Sequence, residues 1–193
     1  MRRDRSIGAD WFEGLFAEQG DPWHFETSDY ERAKYDHSLA SLPRERYAAA
    51  LEIGCANGVL TQRLAARCDD LLAVDVSQTA LAAAQARCAD LPQVRIEQRQ
   101  VPGDVPPGCF DLVVLSEVIY YWDRADLSRA ANYLSAHVVS GGDLLLVHWI
   151  GETDYPLSGD EAVEGLRRLM GNGVEVVHAE RREQYRLDLW RRA

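Results

Sequence analysis

Short apolar runs alternate with segments of helical periodicity from Tyr47 onward, and this alternation restricts the fold more than any other feature of the sequence. Strands that alternate with helices form βαβ units, which predict a parallel sheet with helices on both faces. The five runs are AAALEIG, LLAVDVS, VRIEQRQ, FDLVVLS and DLLLVHWI. The last two are continuously apolar, as is typical of central strands covered on both faces, whereas VRIEQRQ is typical of a half-exposed strand.

The segments beside these runs complete the predicted fold. Helices are expected over VLTQRLAARC, over QTALAAAQARCA with Ser77 as its cap, and over DLSRAANYLSAH, which should stop at Gly141-Gly142. Residues up to about Pro43 predict two helices, the second capped by Ser28 or Asp29. The runs VEVVHAERR and QYRLDLWRR predict a final antiparallel hairpin.

The fold class is therefore α/β, a doubly wound, Rossmann-like, mostly parallel seven-stranded sheet with a C-terminal antiparallel hairpin and an N-terminal helical cover. No repeat or linker divides the sequence. We expect a single domain over residues 1–193, with a helical cap segment at 1–45 and the Rossmann-like core at 46–193.

Charge and cysteine content restrict the partners. The net charge is −10, from 21 basic and 31 acidic residues, so nucleic-acid and membrane partners are disfavoured and a small neutral or cationic substrate is favoured. The four cysteines are widely spaced and form no C-x-x-C pair, which predicts no metal site and reduced thiols in a cytoplasmic protein. The charged start MRRDRSIGAD is not followed by an apolar stretch, so we do not expect a signal peptide, and no apolar run is long enough to span a bilayer.

The stretch LEIGCANG predicts a ligand-binding turn after the first strand. In a doubly wound sheet, ligands bind beyond the carboxyl ends of the strands, and Gly54 and Gly58 allow a sharp turn and a close approach of the backbone there. Asp75 ends the next predicted strand about 20 residues later, the spacing at which an acid binds ribose hydroxyls. The alternative for Asp75 is that it only precedes the Ser77 cap.

Two departures from a dinucleotide-binding loop indicate which nucleoside binds. Glu52 precedes the turn, and Ala56 occupies the position of a second close glycine. A carboxylate here repels a pyrophosphate and attracts an ammonium, which favours a cofactor with an amino-acid tail and no phosphates. S-adenosylmethionine, with its cationic sulfonium and amino groups, fits this description.

These residues resemble a known family. LEIGCANG is similar to the E/D-x-G-x-G-x-G motif of class I S-adenosylmethionine-dependent methyltransferases, with Ala56 replacing the middle glycine, and AVDVS and FDLVVLSEVIYYW lie where that superfamily has its second and fourth motifs. Together with DPWHFETSDYERAKYDHSLASLP and DYPLSGDEAVEGL, they resemble the nodulation-protein S family, which is taken to N-methylate a deacetylated chitooligosaccharide.

The resemblance implies a set of cofactor contacts. Glu52 would bind the amino group and Asp75 the ribose, while Gly58 closes the turn. Three groups of positions follow: Gly54, Cys55, Ala56 and Ser116 for the methionine portion; Val76, Gln100 and Val101 for the adenine; and Trp23, Tyr30, Arg32 and Lys34 of the covering segment for the carboxylate. Of the last group, Tyr30 and Lys34 are favoured because they share a helical face. A solvated helix is the alternative for Arg32 and Lys34, and a core anchor for Trp23. Cys55 has no base within the motif and is expected to fill space beside the cofactor rather than act as a nucleophile.

Three residues are predicted to act on the methyl acceptor. Methyl transfer from a sulfonium depends mainly on alignment and exclusion of water, but an amine acceptor must lose its proton first. Glu117 and His148 lie at strand ends and could accept this proton, and Tyr120 belongs to an aromatic cluster beside them. The alternatives are a helix cap for Glu117, a hydrogen-bonded core histidine for His148, and core packing for the rings.

The sequence therefore predicts a small-molecule methyltransferase, most simply an N-methyltransferase of an amino sugar or similar amine. O- or S-methylation of another metabolite and a non-catalytic cofactor-binding module are the alternatives. A nicotinamide-dependent oxidoreductase would need a pyrophosphate loop that LEIGCANG does not provide.

Overall fold

The computed structural model of the protein describes residues 2–193. The chain divides into two units, one formed by Gly8–Gln100 and the other by Val101–Ala193 together with the start of the chain up to Ile7. The expected helical cap segment at 1–45 and Rossmann-like core at 46–193 stay predictions. A single functional domain over residues 1–193 stays a prediction.

The unit Gly8–Gln100 begins with two helices, α1 (Ala9–Gln19) and α2 (Asp29–Ala40). Ser28 is the cap of α2, because its side chain accepts a hydrogen bond from the backbone N–H of Glu31. This decides between the two caps that the sequence left open and confirms the predicted helical segment.

Three parallel strands and two helices follow in the same unit. The strands lie in the order β3-β2-β1, paired in parallel. β1 and β2 are almost fully buried. As predicted, β3 is half-exposed, and the Ser77 side chain caps the second helix by accepting from the Ala80 N–H. The bounds are β1 (Ala50–Ile53), α3 (Val59–Leu64), β2 (Leu71–Asp75), α4 (Gln78–Arg87) and β3 (Val94–Gln98).

The second unit contains four strands in the order β4-β5-β7-β6. β4 and β5 are parallel, whereas β7 pairs antiparallel with both β5 and β6. The predicted C-terminal hairpin is therefore confirmed. The bounds are β4 (Phe110–Ser116), α5 (Arg124–His137), β5 (Val138–Trp149), α6 (Gly159–Met170), β6 (Val174–Arg181) and β7 (Tyr185–Arg192).

Two elements of this unit differ from the sequence prediction. Helix α5 ends at His137 instead of continuing to Gly141-Gly142, because Val138 is already extended and pairs with Phe110 of β4. Helix α6 was not predicted, although its capping box was present in the sequence. The Ser158 side chain accepts from the Glu161 N–H, and the Glu161 carboxylate accepts from the Ser158 N–H.

Within residues 2–193, none of the helices combines the length and apolar character that crossing a membrane requires.

The capping box makes a prediction for the stability of α6. Ser158→Ala removes the hydroxyl that accepts the Glu161 N–H at 3.1 Å, so the free energy of unfolding in urea should fall by about 1 kcal/mol. Ser140→Ala, at an exposed position of β5, is the control and should change it by less than about 0.5 kcal/mol. Equal losses in the two variants would contradict the capping role.

Candidate functional site

The loop Gly54–Gly58 turns sharply at the carboxyl end of β1. The backbone N–H groups of Gly54 and Cys55 both donate to the Val74 carbonyl of β2, at 2.8 and 3.1 Å. Gly58 has a φ of +79°, and a Cβ there would lie 2.9 Å from the Ala84 Cα of α4. Only glycine combines this backbone conformation with so close an approach to the neighbouring helix.

Ala56, the residue that replaces the expected glycine, also has a left-handed conformation, with a φ of 49°. This conformation costs an alanine about 1–2 kcal/mol. The Ala56 N–H donates to Asp75 Oδ2 at 2.9 Å, and a hydrogen bond to a carboxyl oxygen contributes about 0.5–3 kcal/mol. The hydrogen bond therefore offsets strain of similar size and helps the loop to keep its shape without the glycine.

Asp75 fixes the loop to the end of β2. Its Oδ1 accepts from the Ser77 N–H at 2.9 Å and its Oδ2 from Ala56, so the carboxylate supports both the loop and the start of α4. Burial raises the pKa of Asp75, and the N–H groups of Ser77, Ala56 and Val76 oppose that rise. Each carboxylate oxygen can accept a second hydrogen bond, so these contacts leave capacity for ribose hydroxyls.

Glu52 is a buried carboxyl group on β1, only 2% exposed. Its Oε2 has no hydrogen-bond partner among residues 2–193. Burial raises the pKa of Glu52 to about 8; the nearby Thr61 hydroxyl opposes the rise and the charge of Asp75 adds to it. A buried, neutral carboxyl group of this kind ionises readily when a cation binds beside it.

The predicted carboxylate-binding face of α2 is largely buried. Lys34 is 2% exposed, donates to Glu31 Oε1 at 2.9 Å, and places its ammonium 5.2 Å from the centre of the Tyr30 ring. The ion pair and the cation–π contact together fix the position of the Lys34 ammonium. Lys34 is thus not the solvated lysine of the alternative interpretation.

Trp23 packs into an aromatic group in the covering segment. Its ring centre lies 5.7 Å from that of Phe16, 5.6 Å from Phe25 and 6.5 Å from Trp11. These contacts match the core-anchor alternative for Trp23. A contact between Trp23 and a cofactor stays a prediction.

Glu13 of α1 is a residue that sequence reasoning missed. Its carboxylate accepts from the Ser77 hydroxyl at 2.7 Å and from the N–H of Thr79 at 3.2 Å. A hydrogen bond from the Thr79 hydroxyl at 2.5 Å, together with these two, lowers the pKa of Glu13, and the three bonds join α1 to the start of α4. No local pattern could have identified this contact, because the partners are more than sixty residues apart in the sequence.

Glu26 forms a second contact that was not predicted. It makes an ion pair with Arg87 at the end of α4 and accepts from the Asn57 side chain at 3.4 Å. The Arg87 Nε donates in turn to the Asn57 carbonyl at 2.9 Å. The covering segment is therefore attached directly to the glycine loop.

The remaining predicted cofactor contacts lie in varied surroundings. Cys55 is buried against Ala73, Leu81 and Ile96, and burial raises the pKa of its thiol well above the usual value, as suits a space-filling side chain rather than a nucleophile. Four other positions have these exposures: Val76 and Ser116 are half-buried, Gln100 is exposed and Val101 is buried.

In the other unit, Glu117 follows β4 with a φ of 55°. Strained residues of this kind concentrate at functional positions. Its Oε2 accepts from the Tyr120 hydroxyl at 2.6 Å and from the Trp149 N–H at 2.8 Å, so the carboxylate is fixed at the ends of β4 and β5. Burial, followed by the charge of Glu117, raises the pKa of Tyr120 well above its usual value, which keeps the phenol protonated.

His148 is completely buried in β5. Its Nε2 lies 3.3 Å from the Ile119 N–H and accepts from it, an arrangement that matches the alternative of a hydrogen-bonded core histidine. A role as a base at Nε2 would require this hydrogen bond to break. A direct role for His148 stays a prediction.

Aromatic rings surround Tyr120. Its ring centre lies 4.7 Å from that of Tyr121, 5.3 Å from Tyr155 and 5.3 Å from His148. Tyr155, in the loop before α6, also contacts Tyr121 at 4.6 Å. Of the predicted aromatic cluster, Tyr120 and Tyr121 are therefore in ring contact, and Tyr155 joins them beside Glu117; the part of Trp122 and Trp149 in the cluster stays a prediction.

The residues of Gly8–Gln100 fit a nucleoside cofactor with a cationic amino-acid tail. Asp75 offers carboxylate oxygens at the end of β2, the loop approaches α4 too closely for a side chain at Gly58, and Glu52 offers a buried oxygen without a partner. The sulfonium and ammonium of S-adenosylmethionine suit acidic groups better than a pyrophosphate does.

Comparison with known proteins supports this interpretation. The family model of nodulation protein S (NodS) matches residues 15–147. Nodulation protein S of Rhizobium tropici is 32% identical over 127 residues, which are 65% of this chain and 53% of that protein. The match thus spans about half the length of that relative.

Two crystal structures are similar in fold. A candidate methyltransferase from Pseudomonas syringae is 40% identical, with a TM-score of 0.74 over 84% of this chain and 99% of that one. The N-methyltransferase NodS from Bradyrhizobium japonicum WM9, in complex with S-adenosyl-L-homocysteine, is 23% identical, with a TM-score of 0.83 over 95% of this chain and 97% of that one. These similarities confirm the predicted Rossmann-like fold with its seven-stranded, mostly parallel sheet.

The contribution of the close approach between Gly58 and α4 to stability can be tested by comparing Gly58 with a glycine that has no close neighbour. Gly58→Ala should lower the free energy of unfolding through both backbone strain and the contact with Ala84. Gly20→Ala, at a φ of +70° with nothing within 4 Å of its Cβ, should show the strain alone, about 1–2 kcal/mol. The loss at Gly58 should exceed it by at least about 1 kcal/mol in urea unfolding. Equal losses would show that the loop does not depend on this approach.

Proposed function

The chain belongs to the nodulation protein S family, and we propose that it is an S-adenosylmethionine-dependent methyltransferase that acts on a small molecule. We further propose that the acceptor is an amine, with an amino sugar of the chitooligosaccharide type favoured. The similar structure from Bradyrhizobium japonicum, described as an N-methyltransferase, supports this choice, as does the net charge of −10, which favours a cationic or neutral acceptor. The four cysteine thiols support a cytoplasmic location.

The buried Glu52 carboxyl group is the observation on which the cofactor proposal rests. It precedes the loop Gly54–Gly58, and its Oε2 lacks a hydrogen-bond donor among residues 2–193. A pyrophosphate beside it would add only acceptors and negative charge, whereas an ammonium supplies donors and the missing positive charge. A methionine tail therefore fits this position and a dinucleotide does not.

We assign the two ends of the cofactor to different strand ends. Asp75 accepts the ribose hydroxyls beyond β2, and the loop Gly54–Gly58 with Glu52 binds the methionine portion beyond β1. Lys34 and Tyr30 of α2 bind the carboxylate of the tail. Glu13 and Glu26 hold the covering segment on this unit through their contacts with α4 and the loop.

The bound cofactor supplies a methyl group on a positively charged sulfur. On the acceptor side, we propose that Glu117 binds the amine and accepts its proton, because Tyr120 and the Trp149 N–H fix the carboxylate and Tyr120 itself remains protonated. The rings of Tyr120, Tyr121 and Tyr155 offer faces on which a cation or a sugar can pack. These packed rings also exclude water from the bound acceptor.

Calorimetry tests the cofactor assignment. We expect S-adenosylmethionine and S-adenosylhomocysteine to bind and NAD not to bind. Asp75→Asn should weaken S-adenosylhomocysteine binding at least tenfold, because hydrogen bonds to a charged group are lost. Asp70→Asn, which changes an exposed acid paired with Arg95, should bind normally. Binding of NAD without binding of either adenosyl ligand would refute the proposed function.

A methyl-transfer screen over amino sugars, other amines, phenols and thiols, measured as a mass increase, tests the acceptor class. We expect amines to react, and Glu117→Gln to lower kcat by about a hundredfold with little change in cofactor affinity. Glu175→Gln, on exposed β6, is the control. Reaction of phenols or thiols alone would favour the O- or S-methyl alternative, and cofactor binding without any transfer would favour a non-catalytic module.

A further inference from the structure

Two buried oxygens without hydrogen-bond partners come from one short stretch of the chain. They are Glu52 Oε2 of β1 and Asn57 Oδ1 of the loop, each on a residue at most 2% exposed, whereas the Thr61 hydroxyl of α3 interacts with the Glu52 carboxyl group. A buried polar group costs free energy unless it is hydrogen-bonded. Both oxygens can accept hydrogen bonds, so this stretch is suited to a ligand that is rich in donors.

The titratable groups that interact with Glu52 are all acids. Asp75 lies at the end of β2, Cys55 in the loop and Cys88 directly after α4. On α2, the buried Lys34 is already paired with Glu31. Burial therefore keeps this carboxyl group neutral in the free protein, because no cation in the described part of the unit Gly8–Gln100 compensates a negative charge on Glu52.

We propose that binding of the amino-acid portion of the cofactor drives a proton from the Glu52 carboxyl group into solvent. This inference rests on the proposed function, because it takes S-adenosylmethionine as the ligand. The incoming ammonium supplies the positive charge and the N–H donors that the site lacks, so the ionised carboxylate becomes the stable form. One O–H bond of Glu52 breaks, the proton passes to the buffer, and the ammonium remains charged.

The direction of the pH dependence follows from the burial of Glu52. The pKa of Glu52 in the free protein is about 8, and a neighbouring ammonium lowers it. The ionised form is the one that binds, so affinity falls as the pH falls. Between pH 6 and about 8 the affinity should rise about tenfold per pH unit, and it should then level off.

The test counts protons by calorimetry. Titrations of S-adenosylhomocysteine at pH 7 in phosphate and in Tris buffers, whose ionisation enthalpies differ, give the number of protons released. We expect between about half a proton and one proton per ligand for the wild-type protein and none for Glu52→Gln. Glu183→Gln, an exposed acid between β6 and β7, is the matched control and should release as many protons as the wild type.

A second ligand separates the two halves of the cofactor. 5′-Methylthioadenosine has the nucleoside and the sulfur but lacks the amino-acid portion with its ammonium, so we expect it to bind the wild-type protein without releasing a proton. The difference in proton release between S-adenosylhomocysteine and 5′-methylthioadenosine tests the inference even if Glu52→Gln binds ligand too weakly to measure. Proton release with both ligands, or tight binding of S-adenosylhomocysteine without release, would overturn the inference. Failure of both adenosyl ligands to bind would instead refute the proposed function.

Discussion

The Asp75 carboxylate makes the interaction on which the rest of the proposed cofactor site depends. One of its oxygens accepts from the Ala56 N–H and the other from the Ser77 N–H, both at 2.9 Å. The first bond stabilises a left-handed alanine in the loop, and the second orders the residue that caps α4. The group proposed to bind the ribose is thus also the one that shapes the loop.

Asp75 serves both the stability of the loop and the proposed function, whereas Glu52 serves the proposed function at a cost in stability. A buried carboxyl group without a hydrogen-bond partner for one oxygen destabilises the free protein, and an apolar residue would cost less. The raised pKa is the physical consequence. A ligand that provides both charge and donors removes the penalty, so part of the binding free energy would come from relieving a cost already present in the free protein. A buried carboxyl group of this kind favours cationic ligands over anionic ones, although it is not itself exposed to solvent.

Much of the fold could be predicted from local sequence patterns. The apolar runs predicted β1 to β5, and Ser77 was identified as a cap from its position before an alanine-rich helix. The end of α5 and the presence of α6 were missed. In the first case the pairing of Val138 with Phe110 ends the helix before its glycines, and this pairing joins residues that are distant in the sequence. In the second case the signal was local, a capping box at Ser158, and could have been used.

The sequence by itself determined the family, the strand–helix alternation, and the acids and glycines that follow β1 and β2, because these depend on residue type and short spacing. Only the tertiary structure decided the state of each side chain. It buried Glu52 and raised its pKa, paired Lys34 with Glu31, and joined the Nε2 of His148 to a backbone N–H. It also brought Glu13 to Ser77 across more than sixty residues. Burial and long-range hydrogen bonds depend on which segments fold against one another, and local sequence patterns carry no record of that.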